Sequence, residues 1–332
     1  MRYRTLGRLG WEVSEIGYGM WGIGGGPGGF TGWDYDVAPD CLDLAVELGC
    51  NFFDTAWAYG RGVSEQLLGA LLRRHPDRKL YVATKIPPKN RAWPPGAGDT
   101  LDDVFPPDHI RDYTHRSLEN LGVDRIDLMQ LHVWEDRWAK DDRWQDTLRG
   151  LKDEGVVGAL GISVNRWEPA NCLAALDTGL IDVIQVIYNV FDQAPEDVLF
   201  PRTEADGIGV IARVPFDEGT LAGAVHAGST WPDGDWRNDY FGPENLGPSV
   251  EHLDRLTADL AGRTPPLDMP LPELALRFIL ANPAVHTVIP GMRKPGHVRS
   301  NLAVSDGQPL DAGLLARLRR HRWDRKPAWW SG

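Results

Sequence analysis

Short apolar runs and stretches of helical period alternate along this chain eight times, and few architectures accept such a pattern. The runs are Ile16-Gly17-Tyr18-Gly19, 51–54, 80–85, 126–132, 157–162, 182–187, 208–213 and 286–290. Between them the periodicity predicts helices over 38–48, 64–73, 108–121, 142–154 and 169–178, a short one near 196–205, 250–262 with 271–281, and closing helices. Strands separated by helices pair in parallel, because the crossover must return the chain to the same end of the sheet. Eight such units in 332 residues fit an α/β fold of the closed (β/α)8 TIM-barrel type, and no composition break divides 1–332 into two domains. Ahead of the first run, Tyr3 to Ile16 reads as an N-terminal β-hairpin with Gly7 and Gly10 at its turn, placed across the bottom of the barrel.

Barrels of this kind gather their chemistry at the C-terminal rim of the strands. Two βα connections at that rim are long: 86–107, rich in proline and glycine, and 214–249, which carries Trp231 and Trp236. Long loops at that face are expected to act as lids or specificity walls. The 47 acidic and 35 basic side chains leave a net charge of −12 with no basic stripe, which argues against nucleic acid or an anionic membrane surface as partner. No apolar run is long enough to span a bilayer and the first residues do not resemble a secretory leader, so the expected compartment is the cytoplasm. Cys41, Cys50 and Cys172 fall in apolar segments where reduced thiols are usual, and the nine histidines show no metal-ligand spacing. No metal site is expected. Nothing in the chain specifies an oligomeric state.

Gly17-Tyr18-Gly19-Met20-Trp21-Gly22 matches the dinucleotide fingerprint G-x-G-x-x-G. That fingerprint works only where a helix opens at once and turns its N-terminus to the pyrophosphate. The residues that follow, Ile23-Gly24-Gly25-Gly26-Pro27-Gly28-Gly29, are poor helix formers, so a Rossmann reading is set aside and the segment is expected to be a loop.

Four residues at or just beyond three strand ends, Asp54, Tyr59, Lys85 and His132, can act on one proton. A phenol ionises near pH 10, so a proton-transfer role for Tyr59 calls for a neighbour that favours phenolate. Lys85 would supply it, Asp54 would hold the ammonium, and His132 would orient a carbonyl oxygen. Singly, each residue has a structural explanation as a turn cap, a packed ring, a snorkelling lysine or a satisfied core histidine. Together they would form a costly buried polar cluster without a purpose.

The chain resembles the aldo-keto reductase family nearly end to end. The stretches that carry the resemblance are Tyr3-Arg4-Thr5-Leu6-Gly7, Val13-Ser14-Glu15-Ile16-Gly17, Asn51-Phe52-Phe53-Asp54-Thr55-Ala56-Trp57-Ala58-Tyr59-Gly60 and Ser64-Glu65-Gln66-Leu67-Leu68-Gly69, with Ala83-Thr84-Lys85, Asp127-Leu128-Met129-Gln130-Leu131-His132 and Gly161-Ile162-Ser163. The resemblance implies a (β/α)8 barrel that transfers hydride between a nicotinamide cofactor and a small-molecule carbonyl or alcohol. Tyr59 would be the proton donor, Lys85 and Asp54 its tuners, and His132 the substrate orienter. Ser163 and Gln185 match positions that bind the nicotinamide carboxamide; Asn165, displaced by Val164, is either a further contact or a turn residue. Arg213 stands where many relatives stack a tyrosine on the nicotinamide, a place suited to the reductive direction, unless it pairs with Asp217. Ile289 to Asn301 resembles the segment that grips the adenosine 2′-phosphate, with Gly291, Arg293 and Asn301 as contacts. It departs from well-studied branches at Gly291, Met292 and His297. Arg293 and Lys294 favour NADP (NADPH), with NAD possible.

Fourteen tryptophans suggest an aromatic cleft, with Trp57 and Trp134 as the expected substrate contacts unless they pack in the core, and Arg325 to Trp330 as a cover, a frayed tail or a subunit contact. Two other readings compete with the reductase: a phosphate-handling isomerase or hydrolase barrel, and a non-catalytic nicotinamide-binding regulatory subunit.

Overall fold

Side chains alternate in direction along a strand, so each barrel strand sends every second residue inward. The computed structural model describes residues 1–26, 29–264 and 266–328. Its eight parallel strands follow chain order: β3 (Tyr18–Gly19), β4 (Phe52–Asp54), β5 (Tyr81–Ile86), β6 (Ile126–Leu131), β7 (Val157–Ser163), β8 (Val183–Ile187), β9 (Gly209–Arg213) and β10 (Thr287–Val288). Bridges from Ile16 to Val288 and from Gly19 to Gly291 join the first strand to the last. The eight-stranded barrel and the preceding hairpin, β1 (Tyr3–Leu6) with β2 (Trp11–Ser14), are as the sequence led us to expect.

The inward positions form layers. The lower layer is apolar: Phe52, Ala83, Leu128, Ala159, Val183 and Ile211 pack with Leu6 and Val13 of the hairpin, which closes the bottom. Two residues further along the same strands the inward side chains turn polar, at Asp54, Lys85, Gln130, Gln185 and Arg213. Gly161 occupies that level on β7, where an added Cβ would lie 3.0 Å from Gln130 Cγ and 2.9 Å from the Val183 carbonyl oxygen. Its missing side chain makes room for the glutamine. Arg4 ties the hairpin to the closing end of the barrel, pairing with Glu15 at 3.0 Å and donating to the carbonyls of Leu280 and Val285.

The outer helices are amphipathic. Pro107–Leu121 buries Ile110, Tyr113, Thr114, Ser117 and Leu121 on one face, begins with proline and stops at Gly122, whose φ is +66°. Asp142–Asp153 is capped by Asp141, which accepts from the Arg143 amide.

Three expectations differ in detail. The helix expected over 169–178 is only Leu173–Asp177, because Asn165 and Asn171 bind the connection after β6 and hold 164–172 as a loop, while Asp136 accepts from the Ala174 and Ala175 amides. The last strand ends early since Pro290 has no N–H with which to extend the ladder. A helical turn does form at Trp21–Gly24, inside the glycine-rich fingerprint, and stops at Gly25 with φ +64°. Ile23 anchors it in the core. Pro27 and Gly28 of that segment lie outside the described residues.

Candidate active site

Lys85 is buried at the end of β5, and all three of its N–H donors have partners. Nζ donates to Asp54 Oδ2 at 2.6 Å, to the Thr55 carbonyl at 2.8 Å and to the Tyr59 hydroxyl at 3.3 Å. Asp54 Oδ1 accepts in turn from Gln185 Nε2 at 2.7 Å and Gln130 Nε2 at 3.4 Å. Strand register therefore sets the position of the ammonium, and the ammonium sets that of the phenol. Tyr59 reaches it through the turn after β4, which Gly60 permits. Gly60 has φ +67°, and a Cβ there would fall 1.9 Å from the Gly24 carbonyl oxygen.

The electrostatics correct one expectation. Burial pushes the Tyr59 phenol above its ordinary range; Lys85 opposes that rise and Asp54 adds to it, so the net direction is upward. The phenol stays protonated at neutral pH. His132 is driven well below its usual value, first by burial and then by Lys85 and Arg213, which makes it a neutral imidazole. Its Nδ1 is buried with no hydrogen-bond partner among the described residues, and the ring is held edge-on to Tyr59 at 5.7 Å and to Trp93 at 4.5 Å. The four residues singled out from the sequence thus meet at the C-terminal mouth.

The remaining candidates divide. Ser163 and Gln185 are register partners at the ends of β7 and β8. Gln185 also supports Asp54, a task the sequence reading did not give it. Asn165 turns away: its amide closes on the backbone of Trp134, accepting from N at 3.1 Å and donating to O at 2.7 Å, and reaches Glu135 and Glu168 besides. It fastens two loops together and is not offered to a ligand. Trp134 is likewise corrected, being fully buried between Trp138 and Trp144 with Nε1 on Asp136. Trp57 is partly buried, edge-on to Tyr113 at 4.7 Å and beneath the Arg91 guanidinium. The rings nearest the tetrad are instead Trp21, stacked 6.0 Å from Tyr59, and Trp93 beside His132.

Arg213 ends β9. It does not pair with Asp217: Nη2 donates to the Val164 carbonyl at 3.0 Å, while Asp217 is held by Arg325 at 2.8 Å. Arg325 also binds Asp192, so part of the C-terminal segment does cover the mouth; Trp329 and Trp330 lie outside the described residues. Arg293 donates to the Thr31 carbonyl and packs on Phe30, with Gly22 beneath its methylenes. Gly291 is exposed and bridges to Gly19, and Asn301 is buried in the helix Pro295–Ala303.

The sequence reading missed Gln130 and the buried pair Arg166–Glu218, 2.9 Å apart. Gln130 was accessible through the two-residue period that ends at His132. Arg166–Glu218 joins loops 52 residues apart and leaves no local signal. Among the described residues no group of three or more His, Cys, Asp or Glu is placed to hold a metal.

Comparison with known proteins agrees with this geometry. The chain is 29% identical to the NADH-specific methylglyoxal reductase of Escherichia coli, covering 94% of this chain and 96% of that enzyme. It is 31% identical to the D-threo-aldose 1-dehydrogenase of a Pseudomonas species, with 94% and 95% covered. The holo form of the aldo-keto reductase AKR11C1 from Bacillus halodurans superimposes with a TM-score of 0.76 at 27% identity, over 98% of this chain and 97% of that one. A description of the whole Aldo/keto reductase family matches residues 15–322, and with the lysine-bridged tyrosine at the rim of an eight-stranded barrel this chain belongs to that family.

Proposed function

We propose that the protein reduces the carbonyl of an aldehyde, ketone or sugar to an alcohol, with NADPH as the preferred hydride source and Tyr59 as proton donor. The observation that carries this is Lys85 Nζ bridging the Asp54 carboxylate and the Tyr59 hydroxyl. A bound reduced nicotinamide supplies the hydride. The residues fit that ring: Ser163 and Gln185 stand side by side at two strand ends, and Arg213 closes the next one. The protonated phenol gives its proton to the carbonyl oxygen, Lys85 stabilises the phenolate that remains, and His132 steers the oxygen. A phenol held above its ordinary range suits the reductive direction, since it begins as an acid. Loss of its proton beside the Lys85 ammonium limits the penalty of the buried anion.

The preference for NADPH rests on Arg293 and Lys294, adjacent cations preceding a nine-residue helix whose first turn holds no acid. The buried free thiols of Cys41, Cys50 and Cys172 suit the reducing cytoplasm, the compartment we assign.

The test is loss of reduced-nicotinamide absorbance across a panel of aldehydes and ketones with each cofactor. Tyr59→Phe should lower turnover by about 10²- to 10⁴-fold while NADPH binding, followed by tryptophan fluorescence, is kept. Full turnover in that variant removes Tyr59 from the role. Arg293→Ala should weaken NADPH by about tenfold or more and leave NADH nearly unchanged, and an equal loss for both contradicts the clamp. Cofactor binding with no carbonyl-dependent oxidation would favour a regulatory subunit.

A further inference from the structure

The mouth beside Tyr59 holds buried N–H donors for which the described residues provide no acceptor. They are Arg166 Nε and Nη1, Arg213 Nε and Trp236 Nε1. The groups are contiguous. Trp21 stacks on Tyr59 and lies 5.0 Å from Trp236, whose ring centroid is 5.4 Å from the Arg166 guanidinium carbon. Arg213 is fastened to Val164, two residues before Arg166, and its charge is felt by both Tyr59 and His132.

Nearby acids are engaged elsewhere. Glu218 pairs with Arg166, Asp54 with Lys85, and Asp192 and Asp217 with Arg325. Among the described residues Arg213 is thus a cation at the edge of the reacting centre with no carboxylate bonded to it. Burial first and the neighbouring Arg166 second push it down to about 10, against the opposing pull of Tyr59, Glu218 and Asp54. Arg166 is only 5% exposed, so water does not satisfy it freely either.

Neighbouring N–H donors that lack an acceptor, beside a guanidinium with no bonded carboxylate, suit an oxyanion. We propose that this corner is a carboxylate subsite, and that the carbonyl substrate is an oxo acid or carboxylated aldehyde gripped by Arg213, with Arg166 and Trp236 behind it. The inference rests on the reductase reading above. The carboxylate is unchanged by the reaction. The carbonyl carbon takes the hydride of the reduced nicotinamide, the oxygen takes the Tyr59 proton, and the product is a hydroxy acid.

The experiment compares matched pairs, succinic semialdehyde with butanal and 4-carboxybenzaldehyde with benzaldehyde, for the natural protein, Arg213→Met, Arg213→Lys and Trp236→Phe. The natural protein should favour the carboxylated member by tenfold or more in kcat/KM. Arg213→Met should lower that ratio by about tenfold to a hundredfold, over and above any loss common to both members that a weaker hold on the nicotinamide brings. Arg213→Lys should retain part of the preference. Trp236→Phe, which keeps the ring and removes only the N–H, should reduce the ratio less and guards against misfolding of the arginine variants. Equal efficiency toward both members of each pair would overturn the subsite. So would a loss in Arg213→Met that falls alike on both members and tracks weaker cofactor binding, since the arginine would then serve the cofactor's pyrophosphate. Absence of turnover with every carbonyl defeats the reductase reading itself, whereas turnover without preference defeats only this inference.

Discussion

On one side of the barrel mouth, Asp54, Lys85, Gln130 and Gln185 rise from strands, and their side chains close a hydrogen-bonded network. On the other side, Arg166, Glu218, Asp217 and Arg325 come from two loops and the C-terminal segment, and ion pairs bring them together. The loop side also holds backbone in unfavourable territory: Trp167, Val214, Asp217 and Glu218 have φ of +62°, +56°, +44° and +56°. Val214 is β-branched, for which that region is especially poor, and each such residue costs about 1–3 kcal/mol. A strand network inherits its geometry from register. A loop network must hold its own backbone in place, and here charge is what holds it.

Three measurements test that division. The largest effect should come from Lys85→Met, which leaves Asp54 buried without its cation and should reduce unfolding free energy in urea by about 3–5 kcal/mol. A change below about 1 kcal/mol would mean that the two glutamines hold the carboxylate alone. Arg325→Met should cost less, about 2 kcal/mol, because Asp192 is already pushed upward by burial and can take a proton once its partner is gone. Its signature should be local, with faster amide exchange over 214–222 and 164–168 while the strand amides stay protected. Uniform acceleration would break the comparison, since the loops would then be integral to the barrel.

The smallest effect is in pH. His132 has a folded-state value depressed below its unfolded one, so the fold resists its protonation, and that contribution is fully present above about pH 6.5. It is lost as pH falls from there toward the depressed value, by of order 1 kcal/mol per pH unit. Asp192 and Glu218 on the loop side are raised by burial and work in the opposite sense, gaining protons in the folded state as pH falls. Urea midpoints at pH 7 and 5.5 should therefore drop less in His132→Gln than in the natural protein. An identical drop would place the sensitivity elsewhere.

The same division explains what the sequence made legible. Asp54, Lys85 and His132 could be placed because each ends an apolar run, and Tyr59 because a short glycine-ended turn ties it to Asp54. Trp134 misled because nearness to His132 in sequence says nothing about direction; the chain turns after β6 and sends the indole into the core. Asn165 was left open between a contact and a turn residue, and its amide is taken by a loop about thirty residues earlier. The acidity of Tyr59 was misjudged because a charge partner is visible in sequence and desolvation is not. Arg166, Glu218 and Arg325 obey no period, and their meeting depends on loop paths that only coordinates reveal.

Arg325 carries a practical consequence. Because its guanidinium is nearly enclosed beside Trp167 and Trp323 and anchors Asp192 and Asp217 together, the chain near its C-terminus forms part of the wall of the mouth. An affinity tag, fusion partner or trypsin cut placed close to that arginine would loosen the loops carrying Asp192 and Asp217 while the rest of the barrel stayed intact. Handles for purification or immobilisation belong on the opposite pole, next to the hairpin, where Tyr3 is already open to solvent.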